Sequence, residues 1–248
     1  MAIDYAIQLP CDVRRQVPEA KLLSMVKHKD RAEFAIGQFR QAQPGMDLAT
    51  IVNECTVRIM VQTPEGVSRE MPVTIAQMLS MVAPLEQLKG ACKGCPANVW
   101  GRDFGCIGGV NYPIALQVEE WLVARMPDDA KRPGMELLFK FLADLDIDGA
   151  PVDVHRSRKE MFESRTPAVR KWGGWFARKK QLSSSQVLHM LAFGGNIGAQ
   201  QAQLYTQLLD LVAIKPDPSS ARATEQLRGF LRAIATAGKL NAGVHVDS

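Results

Sequence analysis

The sequence predicts an α+β fold with a small antiparallel sheet, made of a hairpin and an N-terminal strand, and with helices around it. It also predicts a cysteine-rich metal loop and an all-helical C-terminal part. Apolar and polar residues alternate near the N-terminus and again between residues 51 and 73, which is the period of a half-buried strand. Elsewhere apolar residues recur at helical spacing, and three of the five cysteines lie between residues 92 and 106.

Composition restricts the class of protein. The 248 residues are 46% hydrophobic and 23% charged, as in ordinary globular proteins. The formal net charge of +4 is too small to indicate nucleic-acid binding by itself, and five cysteines do not fit the paired framework of a small secreted domain. The N-terminus lacks the pattern of a secretory leader and no run of about 18 apolar residues occurs, so we expect a soluble cytoplasmic protein without a membrane span.

The first forty residues predict a strand and a helix. Residues 3–9 alternate between apolar and polar side chains, which predicts a strand that ends at Pro10. Pro18 then opens a helix that runs to about Arg40, because proline is favoured in the first helical turn and Pro44 with its following glycine stops the pattern.

The next stretch predicts a hairpin and a capped helix. Alternation from Ile51 to Val61 predicts a long strand, residues 64–66 supply turn chemistry, and residues 67–73 return as the second strand. With the N-terminal strand, the hairpin is expected to form a three-stranded antiparallel sheet. Thr74, followed three residues on by a glutamine, predicts a capping box for a helix that extends to about residue 88.

The rest of the chain is predicted to be helical. Pro113 and Pro133 each open a helix, and we expect these two helices to pack as a helical hairpin. Further helices are predicted up to a loose tail from Gly238. These patterns divide the chain into an α+β domain with the metal loop at 1–150, a basic aromatic connector at 151–182 and a helical C-terminal region at 183–248.

Cys92, Cys95 and Cys106 form a C-x2-C-x10-C run in a stretch too rich in glycine for a helix or a strand. Two thiolates at this short spacing can point at one ion, and Gly94 allows the positive φ that such a tight turn uses. Cys11 is the favoured fourth ligand because it follows a predicted strand end. Other candidates stay open, with Cys55 ranked lower because it alternates with apolar strand residues; they are Cys55, Asp103, His28 and His155.

The metal itself is not fixed by this spacing. Zinc is slightly favoured because closed thiolate sites prefer it, while Cys95-Pro96 and the nearby glycines are also typical of loops that hold an iron–sulfur cluster. A redox dithiol at Cys92 and Cys95 ranks third. We expect a structural site that joins the first strand to the loop; the alternative is a glycine-rich connection with incidentally clustered thiols.

A basic segment with aromatic residues follows. Between Arg156 and Lys180, nine Lys or Arg residues oppose two acidic ones, whereas the rest of the chain has 21 basic against 24 acidic residues. Cations with interleaved aromatic rings are typical of a surface that binds nucleic acid or another anionic partner. The predicted partner contacts are Arg165, Arg170, Lys171, Trp172, Arg178 and Lys179.

A second interpretation of this segment is favoured over the first. Trp172, Trp175 and Phe176 would be buried between two helical parts, while the charges face water. Two other patterns are set aside: the acidic run 144–149 lacks the last ligand of a calcium loop, and the glycines at 194–198 are better explained by a plain turn than by a phosphate site.

These expectations favour a metal-stabilised binding or regulatory protein with an anionic partner, either nucleic acid or an acidic protein. An iron–sulfur enzyme or electron-transfer protein is the first alternative. A structural subunit of a larger assembly is the second. The sequence predicts neither a catalytic constellation nor an oligomeric state.

Overall fold

The computed structural model describes residues 2–62, 68–129, 131, 133–143, 146–147, 150–151, 154–173, 180–192 and 194–247. Its α-helices are α1 (Asp12–Gln16), α2 (Glu19–Ala42), α3 (Leu48–Glu54), α4 (Ile75–Met81), α5 (Ala83–Gln87), α6 (Leu116–Ala124), α7 (Pro133–Ala143), α8 (Val154–Met161), α9 (Ser184–Ala192), α10 (Ala199–Leu208) and α11 (Arg222–Lys239). Its strands are β1 (Ala2–Gln8), β2 (Thr56–Gln62), β3 (Ser68–Thr74), β4 (Ile107–Asn111), β5 (Asp146–Ile147), β6 (Ala150–Pro151), β7 (Val169–Trp172), β8 (Lys180–Ser183) and β9 (Gly243–Asp247). The mixture of helices with small antiparallel sheets confirms the α+β class.

The chain forms two compact units. The first unit contains residues 1–9 and 94–248, and the second unit contains residues 10–93. The chain therefore leaves the first unit after β1 and returns to it after α5. The boundaries expected at residues 150 and 182 both fall inside the first unit.

A three-stranded antiparallel sheet in the order β4-β1-β9 lies in the first unit. Tyr5 of β1 is opposite Gly108 in β4 and Val246 in β9. Helix α11 packs against all three strands. Both faces of β1 are buried, since Asp4 and Ala6 are covered as well as the apolar residues that alternate with them.

A second antiparallel pair in the first unit, β7–β8, lies among helices. Strands β7 and β8 pair antiparallel, with Arg170 opposite Leu182. Helix α9 follows β8 directly and packs against α6, α7 and α8, while α6 also contacts β7. The buried apolar residues of these helices and of the β4-β1-β9 sheet belong to one core.

The second unit combines the β2–β3 hairpin with short helices and the long helix α2. Helix α2 packs on α3 and α4, which both contact β3. At the start of α4, the Thr74 hydroxyl accepts from the Gln77 amide at 3.1 Å and the Gln77 side chain accepts from the Thr74 amide at 2.8 Å. The helix predicted from Pro18, the hairpin and the capping box are therefore confirmed.

Two predictions about the strands are wrong. The N-terminal strand does not join the hairpin; it pairs with β4 and β9 instead. The long strand predicted from Ile51 begins only at Thr56, because α3 occupies the preceding residues. Asp47 caps α3, its carboxylate accepting from the Thr50 amide at 3.0 Å, and this cap favours helix over the strand period.

The C-terminal part is not purely helical. Strand β9 occupies the tail that was expected to be loose, and β8 reaches the region 183–248 at Ser183, whereas β7 lies in the segment 151–182. Helices α6 and α7 both pack against α9, and their packing as a helical hairpin stays a prediction. Helix α6 begins at Leu116, three residues after the proline that was predicted to open it.

Candidate functional site

The four predicted metal ligands lie in different surroundings. Cys11 and Cys92 belong to the second unit, whereas Cys95 and Cys106 are half-buried against the core of the first. Within the described residues, no group of three or more His, Cys, Asp or Glu side chains could hold a metal ion. A zinc or iron–sulfur site on these cysteines therefore stays a prediction.

The loop between α5 and β4, which carries these cysteines, is held by other side chains. The indole N–H of Trp100 donates to the Tyr5 hydroxyl at 3.1 Å. The Trp100 ring lies on Gly229 of α11, where an added Cβ would come within 2.0 Å of the ring carbon Cζ2. Arg232 donates to the Val99 carbonyl. Burial raises the pKa of Tyr5, so its hydroxyl stays protonated inside this packing.

Part of the positive charge of the basic segment is compensated by acidic residues from outside it. Six of its Lys or Arg side chains are described, and three of these are paired. The pairs are Arg158 with Glu119, Arg170 with Asp128 and Lys180 with Glu136. These three cations are therefore not free to bind a partner.

Trp172 belongs to the core and is not a partner contact. It is 7% exposed, its indole N–H donates to the Pro127 carbonyl at 3.0 Å, and its ring meets the edge of Phe139 at 5.4 Å. No open ring face is left for stacking on a base. This corrects its assignment as a partner-binding residue and agrees with the burial interpretation. Arg178, Lys179 and the aromatic residues beside them lie outside the described residues.

A groove lies between one face of α6 and the chain from Ser164 to Arg170. Its volume of about 610 Å³ falls in the range of about 300–1,000 Å³ typical of ligand sites. Two large apolar side chains that line it stay exposed, Leu116 at 39% and Val169 at 41%. The α6 wall follows helical spacing, which brings four side chains to one face: Leu116, Glu120, Val123 and Ala124.

Unpaired charges lie at this groove. Glu120 lines it, Arg165 is between two lining residues, and Lys171 follows Arg170 at its end. Among the described residues, none of the side chains of Glu120, Arg165 and Lys171 has an ionic partner. Of the predicted partner contacts, Arg170 lines the groove, and Arg165 and Lys171 are adjacent in the chain to lining residues.

A buried ion pair holds the groove segment in place. The Arg158 guanidinium meets the Glu119 carboxylate through two bonds of 2.8 and 2.9 Å, and both side chains are almost fully buried. Its remaining N–H groups donate to the Ser185 hydroxyl and to the carbonyls of Ser164 and Arg165. All five donors of this guanidinium are therefore used, and two of them fix the backbone that borders the groove.

The same hydrogen-bond network includes residues at the start of α9. The Ser184 hydroxyl donates to Glu119, and the Nδ1–H of His189 donates to the Ser185 carbonyl at 2.6 Å. Burial lowers the pKa of His189, so the ring is neutral at pH 7. Since Ser184 and Ser185 are fully buried, this Glu119–Arg158 network positions the chain and offers no accessible nucleophile.

Glu119 was not among the predicted site residues, and Arg158 was counted with the cations of the basic segment. One signal could have indicated the pair. Glu119 lies in helical phase with Val123 and Met126, both buried, so a charge on this apolar stripe requires a buried partner. The identity of that partner could not be read from the sequence, because Arg158 comes from a distant helix.

Comparisons complete the description of the site. Within the described part of the chain, no helix has the length and apolar composition that a membrane span needs. No protein-family model, no curated protein and no solved structure matches this chain.

Proposed function

We propose that this chain is a binding protein that recognises an acidic segment of a protein partner in the groove between α6 and residues 164–170. One observation carries the proposal: an apolar groove with exposed Leu116 and Val169 lies beside the unpaired cations Arg165 and Lys171. Apolar walls provide affinity, and unpaired cations at the rim select the charge of the ligand.

The groove favours a protein segment over nucleic acid. Nucleic-acid surfaces need cations along a phosphate track and open aromatic faces for stacking. Here Trp172 is buried and Arg170 is paired with Asp128, so the groove offers neither an open aromatic face at Trp172 nor a free cation at Arg170. A peptide can instead cover the apolar wall with its own side chains and place its carboxylates at the rim.

The side chains of the groove provide a weak affinity. Leu116 and Val169 are already more than half buried, so covering each one further contributes about 1 kcal/mol. Each exposed charge pair with Arg165 or Lys171 adds about 0.2–1 kcal/mol and weakens as salt rises. These side-chain contributions alone correspond to a dissociation constant on the order of 1–10 mM for a short peptide.

Fluorescence anisotropy can test the proposal with a labelled nine-residue peptide that alternates valine and glutamate. A peptide with lysine in place of glutamate is the matched control, and a labelled single-stranded 20-nucleotide DNA is the third probe. We expect binding of the acidic peptide alone, with an affinity that falls several-fold between 50 and 300 mM salt. Equal binding of the lysine peptide, or binding of the DNA alone, would overturn the proposal.

Variants locate the binding to the groove. Leu116→Ser removes an exposed apolar side chain from the α6 wall and should weaken binding of the acidic peptide about fivefold. Val212→Ser makes a comparable change at a residue that is 76% exposed and does not line the groove. Equal affinities of the two variants would place the binding elsewhere.

A further inference from the structure

The outer edge of β7 faces away from β8, its one strand partner among the described residues. The Ser184 amide donates to the Ala168 carbonyl at 2.9 Å, which sets the phase of the antiparallel ladder. In that phase the N–H and C=O groups of Arg170 point toward β8, whereas those of Val169 and Lys171 point outward. The outer edge of β7 therefore presents the backbone groups of two residues.

These outward groups of Val169 and Lys171 find no hydrogen-bond partner in the parts of the chain that the structure describes. On three other strand edges of the first unit, an outward amide is bonded to a side chain. The Asn196 side chain accepts from the Val246 amide at 3.1 Å, the Gln226 side chain accepts from the Asn111 amide at 3.3 Å, and the Gln186 side chain accepts from the Ser183 amide at 3.0 Å. Natural proteins usually protect strand edges, so an open edge beside a groove indicates a place for another strand.

The two faces of β7 define the side chains that an added strand would need. Val169 and Lys171 lie on the exposed face, whereas Arg170 and Trp172 lie on the face turned to the protein. An added strand alternates in the same way, with one set of side chains beside Lys171 and the other turned toward the α6 wall. Carboxylates suit the first set, and apolar side chains suit the second, which meets Leu116 and Val123.

We infer that the partner binds as an extended strand that adds to the outer edge of β7, with alternating acidic and apolar residues. This inference rests on the proposed function and specifies how the groove recognises its ligand. Backbone bonds to Val169 and Lys171 supply affinity that is independent of side chains, while the α6 wall and the Lys171 ammonium select the sequence. A partner that binds as a helix cannot make these backbone bonds.

An N-methyl scan of the valine–glutamate peptide tests the strand without changing the protein. Strand addition makes only every second peptide N–H point at β7, so N-methylation should weaken binding with a period of two residues. We expect a loss of about tenfold at the facing positions and about twofold or less at the others. A loss without this period would overturn strand addition.

Protein variants provide the second arm of the test. Val169→Pro removes an outward N–H at an edge position where proline is tolerated, and Val169→Ala keeps that N–H. We expect Val169→Pro to bind the acidic peptide at least fivefold more weakly than Val169→Ala. Equal binding by the two variants would overturn strand addition.

The outcomes separate this inference from the proposed function. If Leu116→Ser weakens binding while the N-methyl scan shows no period, the groove binds an acidic peptide in another conformation, and only the strand model fails. If the peptide does not bind at millimolar concentration, both fail. A concentration-dependent dimer that Val169→Pro disperses would identify a second copy of this chain as the occupant and overturn the peptide model.

Discussion

The β4-β1-β9 sheet and the β7–β8 pair differ in the hydrogen bonding of their edge strands. On β9, the backbone of Ile197 exchanges hydrogen bonds of 2.8 and 2.9 Å with Val244, and Asn196 covers the next outward amide. On β7, the corresponding groups of Val169 and Lys171 have no hydrogen-bond partner among the described residues, and Val169 and Arg170 line the groove. Both regions belong to one unit and share a core, so differences in packing do not explain the contrast. The position of open backbone groups thus distinguishes a candidate site from a merely structural sheet.

The largest expected effect concerns the Glu119–Arg158 network, which holds the chain beside the open edge. Arg158→Ala leaves the Glu119 carboxylate buried without its cation and should lower the free energy of unfolding by about 3–5 kcal/mol. Urea unfolding measures this loss. Lys180→Ala removes a surface pair with Glu136 and is the control, with an expected change of no more than about 0.5 kcal/mol. Similar midpoints for both variants would show that the buried pair does not fix this region.

A substitution in α11 should destabilise the β4-β1-β9 sheet, against which this helix packs. In Gly229→Ala, the new methyl group collides with the Trp100 ring, which also bonds to Tyr5. Overpacking of this kind should lower the free energy of unfolding by about 1–3 kcal/mol. Gly37→Ala is the control, because a Cβ there meets nothing within 4 Å on helix α2 and should stabilise by up to about 1 kcal/mol. A Gly229→Ala protein as stable as the parent would contradict the tight packing of the cysteine-bearing loop.

The free energy of unfolding should depend on pH through His189, which lies on α9, directly after the β7–β8 pair. Burial lowers the pKa of His189, so the unfolded chain binds a proton at a higher pH than the folded chain does. Its contribution is present above about pH 6.5 and is lost as pH falls, at up to about 1.4 kcal/mol per pH unit. His189→Asn should flatten the change in urea midpoint between pH 7 and 5.5. Burial also lowers the pKa of His28 in the second unit, so some of the slope should remain.

Amide hydrogen exchange should distinguish the edge amides of β7 from those of β9. We expect rapid exchange at Val169 and Lys171 and slow exchange at Arg170, because alternate amides of β7 point to β8. The Val246 amide should exchange slowly until Asn196→Ala removes its acceptor, at a cost of about 1 kcal/mol. The acidic peptide should slow exchange at Val169 and Lys171 alone. Uniform exchange along β7 would contradict the open edge.

The metal prediction can be tested apart from this comparison. Purification without oxygen, followed by elemental analysis and an absorption spectrum, would detect zinc or an iron–sulfur cluster. One equivalent of metal that is lost in Cys95→Ser would support the thiolate site and require the cysteines to rearrange. Protein that folds and binds the peptide without either metal would contradict it.

Local signals in the sequence determined several elements of this protein. Pro18 at a helix start, the capping residues Thr74 and Gln77 and the alternation around a turn each depend on neighbours within a few residues. Such short-range chemistry is readable because the interacting groups are close in the chain. Of the predicted contacts in the basic segment, Arg170 lines the groove, while their role in binding a partner stays a prediction.

Only the tertiary structure decided how distant segments pair. The pairing of β1 with β4 and β9, the burial of Arg158 on Glu119 and the neutralisation of Arg170 by Asp128 join residues that lie far apart in the sequence. Alternation shows that a strand has two faces, but it does not name the strand beside it. Likewise, a count of charges does not show which of them are paired. The open edge of β7 could not be predicted either, because it depends on whether a distant segment of the chain bonds to the backbone of Val169 and Lys171.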